Sequence, residues 1–150
     1  MSEATASRHP DPRVQRVVAL YETLVPADLP ALRGVYADSA RFKDPFNQVQ
    51  GVAAIARIFG HMFKQLDAPR FEVLAIVASG DDCFLTWDFR FRARGAGAAV
   101  MGIHGASHLR FDSDGRVAMH RDYWDAAEEL YEKLPVLGVL MRWLKRRAGS

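Results

Sequence analysis

At 150 residues, with 49% hydrophobic content and a formal charge of +2, the chain has the makeup of one soluble domain that buries a substantial core. The small charge, with basic residues scattered except at Lys145-Arg146-Arg147, argues against nucleic acid as a partner. One cysteine, Cys83, excludes an intrachain disulfide; no apolar run reaches the ~18 residues of a membrane span, and residues 1 to 11 lack the apolar stretch of a signal peptide. No integral membrane association and a cytoplasmic location are expected.

Residues 1–11 read as a disordered N-terminus. Asp11 then supplies an N-cap and Pro12 the first helical position. Val14, Val17, Val18, Tyr21, Leu24 and Val25 recur at helical spacing until Pro26. Asp28 predicts the cap of a shorter helix with Leu32, Val35 and Tyr36 turned inward, followed by a short strand from Arg41 to Asp44 that Pro45 closes. Gly51 precedes a third amphipathic helix with a buried stripe of Val52, Ile55, Phe59, Met62, Phe63 and Leu66, His61 falling on or near its polar side.

From Arg70 onward the period changes to two. Residues 71–79, 83–94, 99–111 and 116–124 read as four strands of an antiparallel meander, so the class is α+β. Asp114-Gly115 predicts a two-residue type I′ turn with positive φ at both positions. Pairing Ser113 with Arg116 sets His120 opposite Leu109, Asp122 opposite Ser107 and Trp124 opposite Gly105; pairing Phe91 with Met101 sets Trp87 opposite Gly105 as well.

One face then carries Cys83, Leu85, Trp87, Phe89, Phe91, Met101, Ile103, Gly105, Ser107, Leu109, His120, Asp122 and Trp124. An apolar, aromatic wall with gaps at Gly105 and Ser107 has the composition of a small-molecule pocket, and equally that of an ordinary core face. The opposite face carries Thr86, Asp88, Arg90, Arg92, His104, His108 and Arg110, a set that meets water or a second subunit. His104 and His108 lie ~13 Å apart along a strand and cannot share a metal ion. Residues 127–150 read as a C-terminal helical extension, broken at Pro135, whose stripe of Val136, Leu137, Leu140, Met141 and Leu144 docks on the domain or a partner.

Tyr36-Ala-Asp-Ser-Ala-Arg-Phe-Lys-Asp-Pro45, then Gly51 with Ala54-Ile55, Arg110-Phe-Asp-Ser-Asp-Gly-Arg-Val117 and Tyr123-Trp124 resemble, in order and spacing, the nuclear transport factor 2-like superfamily, which includes ketosteroid isomerases and SnoaL-like polyketide cyclases. The resemblance covers roughly residues 12–126. It implies a curved antiparallel sheet wrapped by three N-terminal helices into a cone with an internal cavity, and a homodimer through the open sheet face. Asp44 sits where ketosteroid isomerases carry their general base; the positions of that family's oxyanion-hole tyrosine and protonated aspartate hold Leu20 and Ser107, with Tyr21 one residue away. Arg121-Asp122-Tyr123 is similar to a limonene epoxide hydrolase motif whose partner arginine and aspartate fall at Trp87 and Phe89.

The chemistry expected is isomerisation, dehydration or cyclisation of a hydrophobic or polycyclic molecule, with no cofactor or metal. Asp44 is the candidate base and Asp122 or His120 its complement, with Phe42, Trp87, Phe89, Met101, Ile103, Ser107, Trp124, Tyr21 and Phe59 against the ligand. A purely structural reading, with Asp44 capping the turn before Pro45 and Asp122 bonded to backbone or Arg121, weighs about evenly against that role. A ligand carrier or sensor, and a partner-binding module with a vestigial cavity, are the alternatives.

Overall fold

The computed structural model describes residues 8–93, 99–129, 143 and 146–149. Helix α1, Pro12–Thr23, opens as expected: Asp11 Oδ1 accepts the Arg13 N–H at 2.9 Å, and Val14, Val17, Val18 and Tyr21 are buried. The next segment, Pro26–Gly34, is a 3₁₀ helix rather than an α-helix capped at Asp28. Pro26 and Pro30 lack N–H donors, and the Pro30 ring opposes the carbonyl an α-helix would place four residues back, so only the tighter turn survives. Leu32 remains its buried residue. The chain extends sooner than expected, so that Tyr36 starts strand β1, Tyr36–Lys43, and a short strand β2, Gln48–Gln50, follows the Asp44-Pro45 turn. Gly51, at φ 99°, then admits helix α2, Val52–Gln65.

Strands β3, Leu66–Ser79, β4, Asp82–Ala93, β5, Val100–Phe111, and β6, Val117–Tyr123, form the meander. They belong to one open six-stranded sheet of order β2-β1-β6-β5-β4-β3. The sheet is mixed: β1 runs parallel to β6, and every other neighbouring pair is antiparallel. The last strand therefore lies between the N-terminal half of the sheet and the rest of the meander. Helix α1 packs against β3, and α2 packs against β1, β3 and the 3₁₀ helix, closing one side of the curved sheet over an apolar core.

The register matches the pairing read from the sequence: Phe91 faces Met101, Trp87 faces Gly105, Ser107 faces Asp122 and Leu109 faces His120. The turn that sets it differs. Gly115 has φ +77° but Asp114 does not have positive φ; Gly115 N–H donates to Asp112 O at 3.0 Å and Asp112 N–H to Arg116 O at 2.8 Å. The longer turn offsets the strands by one residue, and an irregularity between Arg110 and Phe111, where Phe111 pairs with Val117 and Arg110 with Met119, restores the pairing. On the outer face His104 pairs with Asp88 at 2.9 Å and His108 with Asp82 at 2.8 Å. After Asp125 the chain is helical over Ala126–Glu129, here α3; the expected stripe from Val136 to Leu144 lies outside the described residues.

Candidate active site

Five elements converge on the inner face of the curved sheet. Alternation on β6 turns His120 and Asp122 inward, alternation on β4 and β5 brings Trp87 and Ser107 to the same face, and α1 and the start of β1 supply Tyr21 and Tyr36. The result is one continuous hydrogen-bonded chain. Trp87 Nε1–H donates to Ser107 Oγ at 2.9 Å, and Ser107 Oγ–H donates to Asp122 Oδ1 at 2.5 Å. His120 Nε2 lies 2.6 Å from the same Oδ1, while its Nδ1 lies 2.7 Å from the Tyr36 hydroxyl and 3.1 Å from that of Tyr21; the two hydroxyls are 2.6 Å apart.

In the neutral tautomer whose Nε2–H donates to Asp122 Oδ1, Nδ1 of His120 accepts. The nearer hydroxyl, that of Tyr36, donates to Nδ1, and the Tyr21 hydroxyl donates in turn to the Tyr36 oxygen. Burial, with the neighbouring Tyr36, holds the Tyr21 phenol well above its ordinary pKa, and burial raises that of Tyr36 too, so both remain donors. All dipoles then point toward Oδ1 of Asp122, while Oδ2 has no hydrogen-bond partner among the described residues. Phe42 packs edge-on against the His120 ring at 4.8 Å and Tyr36 stacks at 5.9 Å, holding the imidazole in plane.

Asp122 borders a space of about 500 Å³ beside Lys43, Arg121 and Trp124, and two recesses on the inner face of the sheet. One is a recess of about 20 Å³ among Tyr21, Phe59, Phe71, Trp87, Ser107 and His120, room for one water molecule or one ligand oxygen. The other is an open recess of about 650 Å³, walled by Phe71, Trp87, Phe89, Phe91, Ile103 and Trp124 and bordered at its polar end by Asp44, Asn47, His61 and Gln65. That volume lies within the range of small-molecule sites.

Of the residues expected against a ligand, Trp87, Phe89, Ile103 and Trp124 line the larger recess and Tyr21, Phe59 and Ser107 the smaller. Phe42 lies behind His120, and Met101, half-buried against the core, borders neither space. Asp44 borders the larger recess, and its Oδ1 also accepts the Phe46 N–H at 2.8 Å and the Asn47 N–H at 2.6 Å, holding the turn between β1 and β2. Tyr36 and His61 were not among the expected site residues. A second stripe on α2, Ile58, His61, Met62 and Gln65 at i, i+3, i+4 and i+7, is the signal that places His61. Among the described residues no group of three or more His, Cys, Asp or Glu could hold a metal ion.

A SnoaL-like domain family model matches residues 17–120. A ketosteroid isomerase-like protein from Catenulispora acidiphila, solved with trimethylamine, superposes with a TM-score of 0.68 at 16% identity, covering 79% of this chain and 89% of that one. TerC co-crystallised with polyporic acid gives 0.67 at 13% identity, over 79% and 95%. An LEH-like epoxide hydrolase of M. tuberculosis gives 0.63 at 16%, over 78% and 83%. At these identities the likeness is one of fold. A search of curated protein sequences finds no match.

Proposed function

The chain belongs to the SnoaL-like domain family, and on that premise we propose that it is a cofactor-independent acid–base enzyme of isomerase or lyase type, acting on a hydrophobic or polycyclic small molecule. The observation that carries the proposal is the position of Asp122 between the two recesses, with one carboxylate oxygen held by Ser107 and His120 and the other unpartnered among the described residues. A carboxylate fixed in this way loses little freedom when it meets a substrate, which favours proton transfer.

In the proposed reaction Oδ2 of Asp122 removes a proton from carbon or oxygen of a ligand lying against Trp87 and Trp124. The same proton returns to a different atom for isomerisation or cyclisation, or leaves with a hydroxyl as water for dehydration. His120 keeps its Nε2 proton throughout and orients the carboxylate. Asp44, at the far end of the recess, is proposed as the second carboxylate, orienting a polar substituent together with His61. Ligand-bound relatives of this fold support small-molecule binding.

Small molecules extracted from natively purified protein and identified by mass spectrometry supply candidate substrates. With a converted substrate in hand, Asp122→Asn should lower turnover by ~10²- to 10⁴-fold while sparing ligand affinity. Turnover within about threefold of the parent would remove Asp122 from the mechanism, far short of the general-base range. A carrier reading has its own support: among the described residues no buried side-chain polar atom lacks a partner, so the network can persist as pure structure. Specific retention of a ligand that is never converted favours that reading.

We also propose a cytoplasmic homodimer. Val77 and Phe84, 64% and 50% exposed on the outer face of β3 and β4, are the apolar residues that a second copy would cover. Sedimentation of the parent and of Phe84→Glu tests this, since a charge there should give monomers.

A further inference from the structure

The outer face of the sheet changes character from one edge to the other. At the β3–β4 edge it carries the exposed Val77 and Phe84 and the ion pairs of Arg90 with Glu72 and of His104 with Asp88; at the β2–β1–β6 edge three cations gather with no carboxylate in ion-pairing distance among the described residues. Lys43 on β1 stands directly opposite Arg121 on β6, and Arg41 lies two residues along β1 on the same face. Adjacent strands are only ~4.8 Å apart. Like charges opposed across a ladder destabilise it. Among the described residues, nevertheless, no carboxylate lies within ion-pairing distance of Arg41, Lys43 or Arg121. The carboxylates nearby hold other partners: Asp82 bonds His108 and Arg110, Asp44 its own turn, Asp122 Ser107 and His120, and Asp125 the Glu128 N–H.

The same residues line a groove of about 650 Å³, distinct from the recess behind the sheet. Gln48 and Gln50 of β2, paired with Lys43 and Arg41, add amide donors on its other wall. Arg121 is laid over the Tyr123 ring at 4.7 Å, a contact that orients its guanidinium. Oriented guanidinium, flexible ammonium and neutral amides around a concave surface are the recognition set for oxyanions.

We propose that this groove binds a compact multivalent oxyanion, phosphoryl or polycarboxylate, through Arg41, Lys43 and Arg121, at a site separate from the Asp122 recess. Such a ligand removes the unfavourable cation pairing across β1 and β6, and its charge is offset by three side chains that have no ion-pair partner among the described residues.

The test uses the full chain at low ionic strength, titrated with inorganic pyrophosphate in one arm and citrate in the other, and followed by backbone amide NMR. Saturable shifts confined to β1, β2 and β6 are expected, weakening as salt is raised. The arm that saturates at lower concentration assigns the phosphoryl or the polycarboxylate source. The double variant Lys43→Ala/Arg121→Ala, altered at exposed positions, should lose at least about tenfold in affinity, whereas Lys43→Arg should stay within about threefold. Shifts that never saturate with either probe, or equal affinity in the double variant, would overturn the proposal. So would an affinity that is absent while the double variant changes sedimentation, since the groove would then be covered by a second copy.

Discussion

Gly105 is the position where the smallest change should cause the largest structural effect. A Cβ added there would lie 2.5, 2.8 and 3.0 Å from Cη2, Cζ2 and Cζ3 of the Trp87 indole. The indole has little room to retreat, because Phe71 meets it edge-on at 5.5 Å and its Nε1–H is bonded to Ser107. Overpacking of this kind costs ~1–3 kcal/mol, and displacing the indole leaves a buried donor and acceptor unmatched for a further ~1–3 kcal/mol. Replacing glycine returns about 0.4–1 kcal/mol by restricting the unfolded chain. Gly105→Ala should therefore lose about 1–5 kcal/mol net. Urea unfolding followed by circular dichroism measures it, with the slope m unchanged so that the shift in midpoint reports stability. In a Trp87→Phe background the same substitution should cost under about 1 kcal/mol, because the atoms it strikes are gone. A loss below about 0.5 kcal/mol in the parent, the range of ordinary surface changes, would refute the close packing of strand and indole.

Asp44→Asn should cost about 1 kcal/mol or less, since asparagine caps nearly as well as aspartate, and thermal unfolding checks it. At Ala68, which has φ +47° beside the irregularity in β3, Ala68→Gly should be neutral or stabilising by up to about 1 kcal/mol, and Ala68→Val should destabilise by ~1–2 kcal/mol. Both are read from the unfolding midpoint. Burial pushes the Cys83 thiol up from 9.0 to about 11. A raised folded-state value means that its contribution to stability is whole below pH 9.0 and is lost as pH rises toward 11. Alkylation of Cys83 in the native protein at neutral pH should accordingly be slow and track unfolding, and rapid alkylation would contradict the burial.

The meander was legible because β4, β5 and β6 alternate: setting Phe91 against Met101 gives Trp87 opposite Gly105 by counting, and setting Ser113 against Arg116 gives Ser107 opposite Asp122 and Leu109 opposite His120. Even a misread turn left this intact, since the offset introduced at Gly115 is cancelled between Val117 and Met119. Residues whose position depends on non-local pairing were not legible. Tyr36 looks helical by spacing, and nothing nearby in sequence indicates that β1 will lie parallel to a strand some 80 residues further on. Pro30 was the available warning against an α-helix there. The balance at Asp44 had the same origin, since whether a carboxylate caps or catalyses depends on distances that only the folded turn supplies.

The parallel pairing of β1 with β6 also imposes an order on synthesis. Tyr36 and His120 are 84 residues apart, and Tyr21 and His120 are 99 apart, so the buried network cannot form until nearly the whole domain has emerged from the ribosome. Contacts between such distant residues reward the chain only after a long loop has been closed, which slows folding. Until Val117–Tyr123 arrives, β1 and β5 each present an unpaired edge. A nascent chain arrested before Val117 is thus held together by helix packing and the β3–β5 hairpins alone, with two strands exposed to other chains, and it is at this stage of its life that the protein is most open to aggregation.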